Sequence, residues 1–285
     1  PKSKLSASQI EDLRKWVKDG AYWPVEKNVA VKANTFNIEE RKKQWAWQPL
    51  SKSNPKSLSS NPWVKSSIDA FVLDKMTEKG LAPATPAAKE ALIRRAYFDL
   101  IGLPPLPADT KAFLQDNSPN AFEKFVNKLL DSSSFGEKWA RHWLDLVRYG
   151  DSRGHEFDAS IPNAFQYRDY VIRAFNSDVP YNQFVKEHLA GDLISNPRLH
   201  PVEGWNESIL GTGFLYLGEE VHSPVDIRLD QADRFDNRID VIGKTFLGLT
   251  IACARCHDHK FDPIPTKDYY SLFGFLSSSH YRLAR

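Results

Sequence analysis

From Trp63 onward, apolar residues recur at three- and four-residue intervals and almost never alternate. A sheet needs side chains that face in and out by turns, so this spacing restricts the chain to packed helices. Ile68, Phe71, Val72 and Met76 make the first stripe. Thr85 and Pro86 read as N-cap and first residue of the next helix, which carries Leu92, Ala96 and Leu100 and stops at the proline-rich run 102–107. Phe122, Phe125, Val126, Leu129 and Leu130 form another stripe, and Trp139, Trp143, Leu146 and Val147 follow. Segments 167–176 and 181–194 supply two more. The last long helix runs through Ala232, Phe235, Ile239, Ile242, Phe246 and Leu249 and delivers the chain to Cys253. The expected fold class is mostly α, a multi-helix domain with long loops and little or no sheet.

The N-terminal segment differs. Ser8 and Glu11 read as a capping box, Ile10, Leu13, Trp16 and Val17 share one face, and Gly20 sits where a C-terminal cap belongs. Residues 24–62 are polar and broken by Lys, Asn, Ser and Pro, with an aromatic island at Trp45 and Trp47. The expected organisation is a terminal helix over 1–23, a linker over 24–62 strapped down at that island, and a main domain over 63–285. At 41% hydrophobic residues the chain can build a core, and a formal charge of +2 without a Lys/Arg block argues against nucleic-acid binding. No apolar run reaches the roughly 18 residues of a membrane span.

Both cysteines of the chain, Cys253 and Cys256, lie three apart, with His257 directly after. A single pair so close together excludes a disulfide scaffold. Cys-x-x-Cys-His is the attachment pattern of a c-type haem. Two thiols one helical turn apart can each reach a vinyl group along one haem edge, and the adjacent imidazole can ligate the iron. Three other readings compete. A zinc site could draw on Cys253, Cys256, His257 and His259, but it would crowd four ligands into seven residues. A thioredoxin-like redox pair needs a strand-to-helix setting that the flanking pattern lacks. Two buried structural thiols are the third.

The stretch 249–276, "LTIACARCHDHKFDPIPTKDYYSLFGFL", resembles the cytochrome-c-like domains abundant in Planctomycetes and related bacteria, often described only as a domain of unknown function. "LIRRAYFDLIGLPPLP", "HWLDLVRYGDS", "YRDYVIRAFNSDVPYNQF" and "LAGDLI" carry the resemblance across residues 63–285 in the family's order. It implies one covalent haem c on Cys253 and Cys256, with His257 on the iron, and His259 and Asp262 shaping the loop beneath. Residues 1–23 resemble the closing helix of a separate cytochrome c domain that commonly precedes this one. The resemblance further implies a piece of an exported protein of the periplasm or cell envelope, working with a redox partner domain or protein. It implies no particular reaction.

The far side of such a haem decides between electron transfer and chemistry on a small-molecule substrate. Met76, the only methionine, falls on an apolar helix face and reads as core. His222 lies beside Glu219 and Glu220, and His155 among Asp151, Arg153, Glu156 and Asp158. These two histidines are the candidates for a distal ligand or a general acid/base, and Arg153 for stabilising developing charge. A plain solvated loop histidine is the alternative for each. His142 and His188 read as packing or surface residues, while His200 and His280 carry no pattern. The run of Asp230, Asp233 and Asp240 among Arg228, Arg234 and Arg238 reads as a solvated helix face with internal ion pairs rather than a calcium loop. A haem-borne electron carrier, a haem-dependent oxidoreductase of peroxidase type with an open distal side, and a zinc-stapled structural module are the three functional expectations, in that order.

Overall fold

The computed structural model describes residues 5–22, 36–51, 55 and 61–279. His280 and much of the expected linker lie outside them. The chain divides into two units, residues 1–38 and residues 39–285.

In the first unit, α1 spans Ala7–Lys18. Its capping box is made by Ser6 and Gln9, two residues ahead of the expected Ser8 and Glu11. Ser6 has the extended backbone an N-cap needs, and its hydroxyl accepts from the Gln9 N–H while the Gln9 side chain accepts from Ser6 N–H. Ser8 lies inside the helix, where it cannot cap.

The second unit holds the rest: α2 Ile38–Arg41, which straddles the boundary, then α3 Ser67–Glu78, α4 Lys89–Leu100, α5 Pro107–Gln115, α6 Ala121–Leu130, α7 Ser133–Leu146, α8 Ala164–Asn176, α9 Tyr181–Ala190, α10 Ile227–Ile242 and α11 Thr266–Ser277. Short 3-10 turns cover Trp45–Trp47, Ser208–Tyr216 and Ile251–Arg255. Among the described residues there is no strand, only two isolated bridges. The mostly α fold read from apolar spacing is the fold observed.

Three apolar clusters hold this unit together. Ile93, Tyr97, Phe113, Phe125 and Leu129 join α4, α5 and α6. Trp143, Val147, Tyr167, Tyr170, Val171, Phe184 and Phe214 join α7, α8, α9 and the 208–216 turn. Phe235, Ile239, Ile251, Ile264, Tyr269 and Leu276 join α10, the thiol turn and α11, and Trp47 packs on this cluster. The strap expected at the two Trp residues is therefore made by Trp47, while Trp45 is exposed.

Two expectations for α3 and α4 give way. The stripe of Ile68, Phe71 and Val72 is exposed, and the residues α3 buries are Ala70 and Leu73. Met76 is half-buried in an open apolar groove of about 440 Å³ with Phe71, Val72 and Leu81, not in a core cluster. The next helix begins at Lys89, not after Thr85, because Ala88 is still extended. Lys89 Nζ donates to the carbonyls of Asp116 (2.7 Å) and Leu114 (3.4 Å), a tertiary anchor that local propensity does not contain.

Close packing of α9 on the 208–216 turn depends on glycine. A Cβ on Gly191 would stand 2.0 Å from the Ser208 carbonyl oxygen and 2.4 Å from that of Glu187. Both neighbours are backbone and cannot swing away. Gly191→Ala is expected to cost about 3 kcal/mol, read as a lower urea midpoint at unchanged slope.

The same region buries His188 completely. Its Nδ1 donates to the Phe184 carbonyl (2.8 Å), so Nε2 accepts from Tyr167 OH (2.8 Å) and Trp143 Nε1 (3.1 Å). Burial pushes its pKa down to about 4 from 6.5. The unfolded chain therefore binds a proton that the folded chain refuses between pH 6.5 and 4. Stability falls as pH drops through that window, by about 3 kcal/mol at the end of it. Denaturant titrations at pH 7 and pH 4.5 should show the loss, and His188→Gln should flatten that part of the profile.

Candidate functional site

The thiol turn is built from its flanks inward. α10 ends at Ile242, a π-turn over Gly243–Leu247 follows, and Gly248 reverses the chain with φ +66°. The chain re-enters the third cluster at Ile251 and coils as a 3-10 turn through Cys253. In a 3-10 turn, side chains three apart eclipse one another. Cys253 lies within the turn and Cys256, three residues on, caps it; both are free and exposed while Ala254 is fully buried.

His257 follows on the surface, its Nδ1 donating to the Asp258 carbonyl at 2.8 Å. That bond fixes the tautomer and leaves Nε2 as the lone-pair donor, the arrangement a ligating imidazole requires. Asp258 Oδ1 accepts from the Thr266 N–H (2.8 Å), tying the loop to the start of α11. Arg255 anchors the turn to α10 through Asp233 (2.8 Å) and Asp236 (3.3 Å), and Tyr270 OH donates to its carbonyl at 3.2 Å.

His259 does something else. It is buried, Nδ1 accepting from the N–H groups of Asp262 (2.8 Å) and Phe261 (3.2 Å), so Nε2 is the donor to Thr250 Oγ1 at 2.9 Å. Arg41 adds hydrogen bonds from outside to the carbonyls of His259 and Asp262. The loop-shaping role implied for His259 has this geometry. Replacing His259 by Ala leaves two amides and a hydroxyl unpaired and is expected to cost about 2 kcal/mol. Faster amide exchange at Phe261 and Asp262 is the local readout.

The donor set fits a c-type haem better than zinc. Both thiols and the His257 Nε2 are presented on the surface with no hydrogen-bond partner among the described residues. The fourth zinc candidate, His259, has both ring nitrogens committed to the loop. Among the described residues no three His, Cys, Asp or Glu side chains gather as a metal-binding group.

The structure brings His222, His155 and Arg153 into one neighbourhood. Arg153 Nε pairs with Glu220 at 3.1 Å, its Nη1 donates to the Tyr216 carbonyl at 2.7 Å, and its guanidinium lies 4.1 Å from the Tyr216 ring centre. Glu220 N–H donates to the Arg153 carbonyl (3.3 Å), and His222 stacks on Phe157 with ring centres 4.1 Å apart. His155 sits exposed in the same 152–160 loop with φ +62°. No hydrogen bond, ion pair or ring contact joins these loops to residues 253–259 among the described residues. They meet α10 at Arg234 through Glu220, whereas the thiol turn meets it at Asp233 and Asp236.

Sequence reading missed a buried polar network beside His188. Glu187 and Glu207 are both completely buried. Arg198 bridges them and Arg173 also holds Glu207. Glu187 accepts from Tyr170 OH at 2.7 Å and Ser208 Oγ at 2.9 Å. These polar positions look like ordinary helix surface until their distant partners are known. His142, by contrast, is exposed against Trp139, as expected of a surface histidine. In the acidic helix Asp230 pairs with Arg234 and Asp240 with Lys244, and Asp233 reaches out to Arg255.

Fold and turn together define a class: an all-helical domain that presents a Cys-x-x-Cys-His turn at its surface. Residues 67–281 match the family PSCyt2, described as a protein of unknown function (DUF1549), and the chain belongs to that family. Neither the curated proteins nor the solved structures contain a match. Among the described residues no helix is long and apolar enough to cross a membrane.

Proposed function

We propose that this chain is a c-type haem domain that passes electrons, with one haem held through thioether bonds to Cys253 and Cys256 and His257 as axial ligand. The observation that carries it is the pairing of two exposed free thiols, one in a 3-10 turn and one capping it, with an adjacent imidazole whose Nδ1 is already bound. Bound haem supplies a one-electron couple. The protein's own part is positional. Arg255 and Tyr270 hold the turn on α10 and α11, His259 and Arg41 hold the following loop, and the Asp258 carbonyl orients the His257 ring. Thioether attachment places the mature protein in an exported compartment, and a redox partner domain or protein at the exposed turn completes the path.

A haem-dependent oxidoreductase is the second reading. It is supported by the convergence of Arg153, His155 and His222 with Glu219 and Glu220 on two touching loops. In that reading the histidines exchange protons with a bound substrate and Arg153 stabilises negative charge.

The test is the absorption spectrum of natively matured protein, oxidised and reduced, with a pyridine haemochrome assay and intact mass. A mass of polypeptide plus one haem and a six-coordinate, low-spin spectrum support electron transfer. High-spin iron that binds cyanide supports the enzyme, and substituting His222 and His155 in turn then tests the distal role. Bare polypeptide, or polypeptide with zinc, overturns both.

A further inference from the structure

Against α10 at Asn237, an open cavity of about 420 Å³ is lined by Arg148, Ser152, Arg153, Gly154, Gly218, Glu219 and Asn237. That volume falls in the range of small-molecule sites. Its charges are arranged unevenly. Arg153, Glu220, Arg234 and Asp230 form a closed chain of ion pairs, so those two cations are balanced by those two carboxylates. Arg148 stands outside the chain. Its guanidinium donates to Asn237 Oδ1 and to the carbonyls of Val147 (3.2 Å) and Phe214 (3.1 Å). All three are neutral oxygens, and no carboxylate lies within ion-pair distance of it among the described residues.

A largely buried guanidinium without a counter-ion is a standing electrostatic cost, and burial followed by the field of Arg238 pulls the Arg148 pKa down to about 10. The side chain is still charged at neutral pH. The backbone is unusual at the same place: Arg148 has φ +53°, a left-handed conformation that L residues avoid. Gly218, at φ +113°, lies so close that a Cβ there would stand 2.9 Å from Arg148 Nε. Beside it, Arg234 Nε is buried with no hydrogen-bond partner. A left-handed backbone, a cation without a carboxylate partner and a glycine-thinned wall meet at this cavity.

We propose that this cavity binds the carboxylate of a small hydroxylated acid, with Arg148 as its principal counter-charge. Arg148 supplies the positive charge. Asn237, whose Oδ1 is spent on Arg148, keeps its amide donor, and Ser152 offers a hydroxyl. Glu219 is the one carboxylate of the lining and is exposed at the mouth. It disfavours polyanions and accepts hydrogen bonds from ligand hydroxyls, which is why the class is a hydroxylated monoanion rather than a phosphate.

Calorimetric titration of the full chain with sodium gluconate tests this, against sorbitol as the neutral analogue and sodium chloride at matched ionic strength. Saturable binding of gluconate at one site, absent with sorbitol and chloride, is expected. Arg148→Gln and Ser152→Glu should each weaken it at least tenfold, the second by placing a competing carboxylate in the cavity without touching Arg148's hydrogen bonds. Circular dichroism reports which variants fold, and Ser152→Glu alone decides if Arg148→Gln does not. No saturable gluconate binding by the parent chain, or parental affinity in a folded variant, overturns the proposal. The result is independent of haem attachment, which intact mass reads on the same samples.

Discussion

Replacing Glu187 with alanine is expected to cost about 3–5 kcal/mol, a large share of the stability of an ordinary domain. The side chain is completely buried and accepts hydrogen bonds from Tyr170, Gln183, Ser208 and, twice, Arg198. Burial opposes its charge, but the bonds from Arg198, Tyr170 and Gln183 prevail and hold its pKa below the usual carboxylate range. Removing it leaves Arg198 and Arg173 to share the single carboxylate of Glu207 and strips the buried Tyr170 phenol of its acceptor. The loss therefore exceeds what the contact itself contributes. Glu187→Gln, which keeps two acceptor lone pairs and the volume, should cost less than the alanine change. A Glu187→Leu, Arg198→Met double variant should be more stable than Glu187→Leu alone, because it leaves fewer unpaired charges behind. Urea unfolding of the parent and the four variants checks the order. Equal stability of Glu187→Ala and the parent would show that the network contributes nothing. The folded pKa of Glu187 lies below its unfolded value, so its contribution is present at neutral pH. That contribution fades as pH falls through the carboxylate range, adding to the acid loss expected from His188.

The double variant Cys253→Ser, Cys256→Ser, matured alongside the parent, is expected to lose covalent haem completely while remaining folded. Each single variant should retain one thioether bond. His257→Ala should keep the covalent mass but lose the parental spectrum, because attachment and ligation are then separated. Retention of the fold follows from geometry: both thiols are exposed and free, and substitutions at such positions usually change stability by less than about 0.5 kcal/mol. A zinc staple predicts the opposite pairing, since removing two of its ligands forfeits the metal's contribution to folding. Thermal unfolding beside intact mass separates the two: lost haem with an unchanged apo-protein midpoint fits the cytochrome reading, and a collapsed midpoint with no haem in the parent fits the staple.

What could be read from residue order alone was whatever local spacing decides. α10 through Ala232, Phe235, Ile239 and Ile242 follows from the 3.6-residue period, but the expected continuation through Phe246 and Leu249 to Cys253 gives way to a π-turn over Gly243–Leu247 and a reversal at Gly248. The ends of helices were less legible. Lys89 begins α4 because Leu114 and Asp116 receive its ammonium, and α1 is capped from Ser6 because that residue, not Ser8, is extended. The first stripe of α3 misled for a related reason: periodicity says which residues share a face, not which face meets the core.

The sequence by itself determined a helical chain with one Cys-x-x-Cys-His segment, since backbone period and neighbouring side chains are settled within a few residues. Only the tertiary structure decided which charges are buried and which cation lacks a partner. Glu187 meets Tyr170, Arg198 and Ser208, and Arg148 meets Phe214 and Asn237, across long stretches of intervening chain. The free energy of a buried charge depends on what surrounds it in space, and no local pattern encodes that.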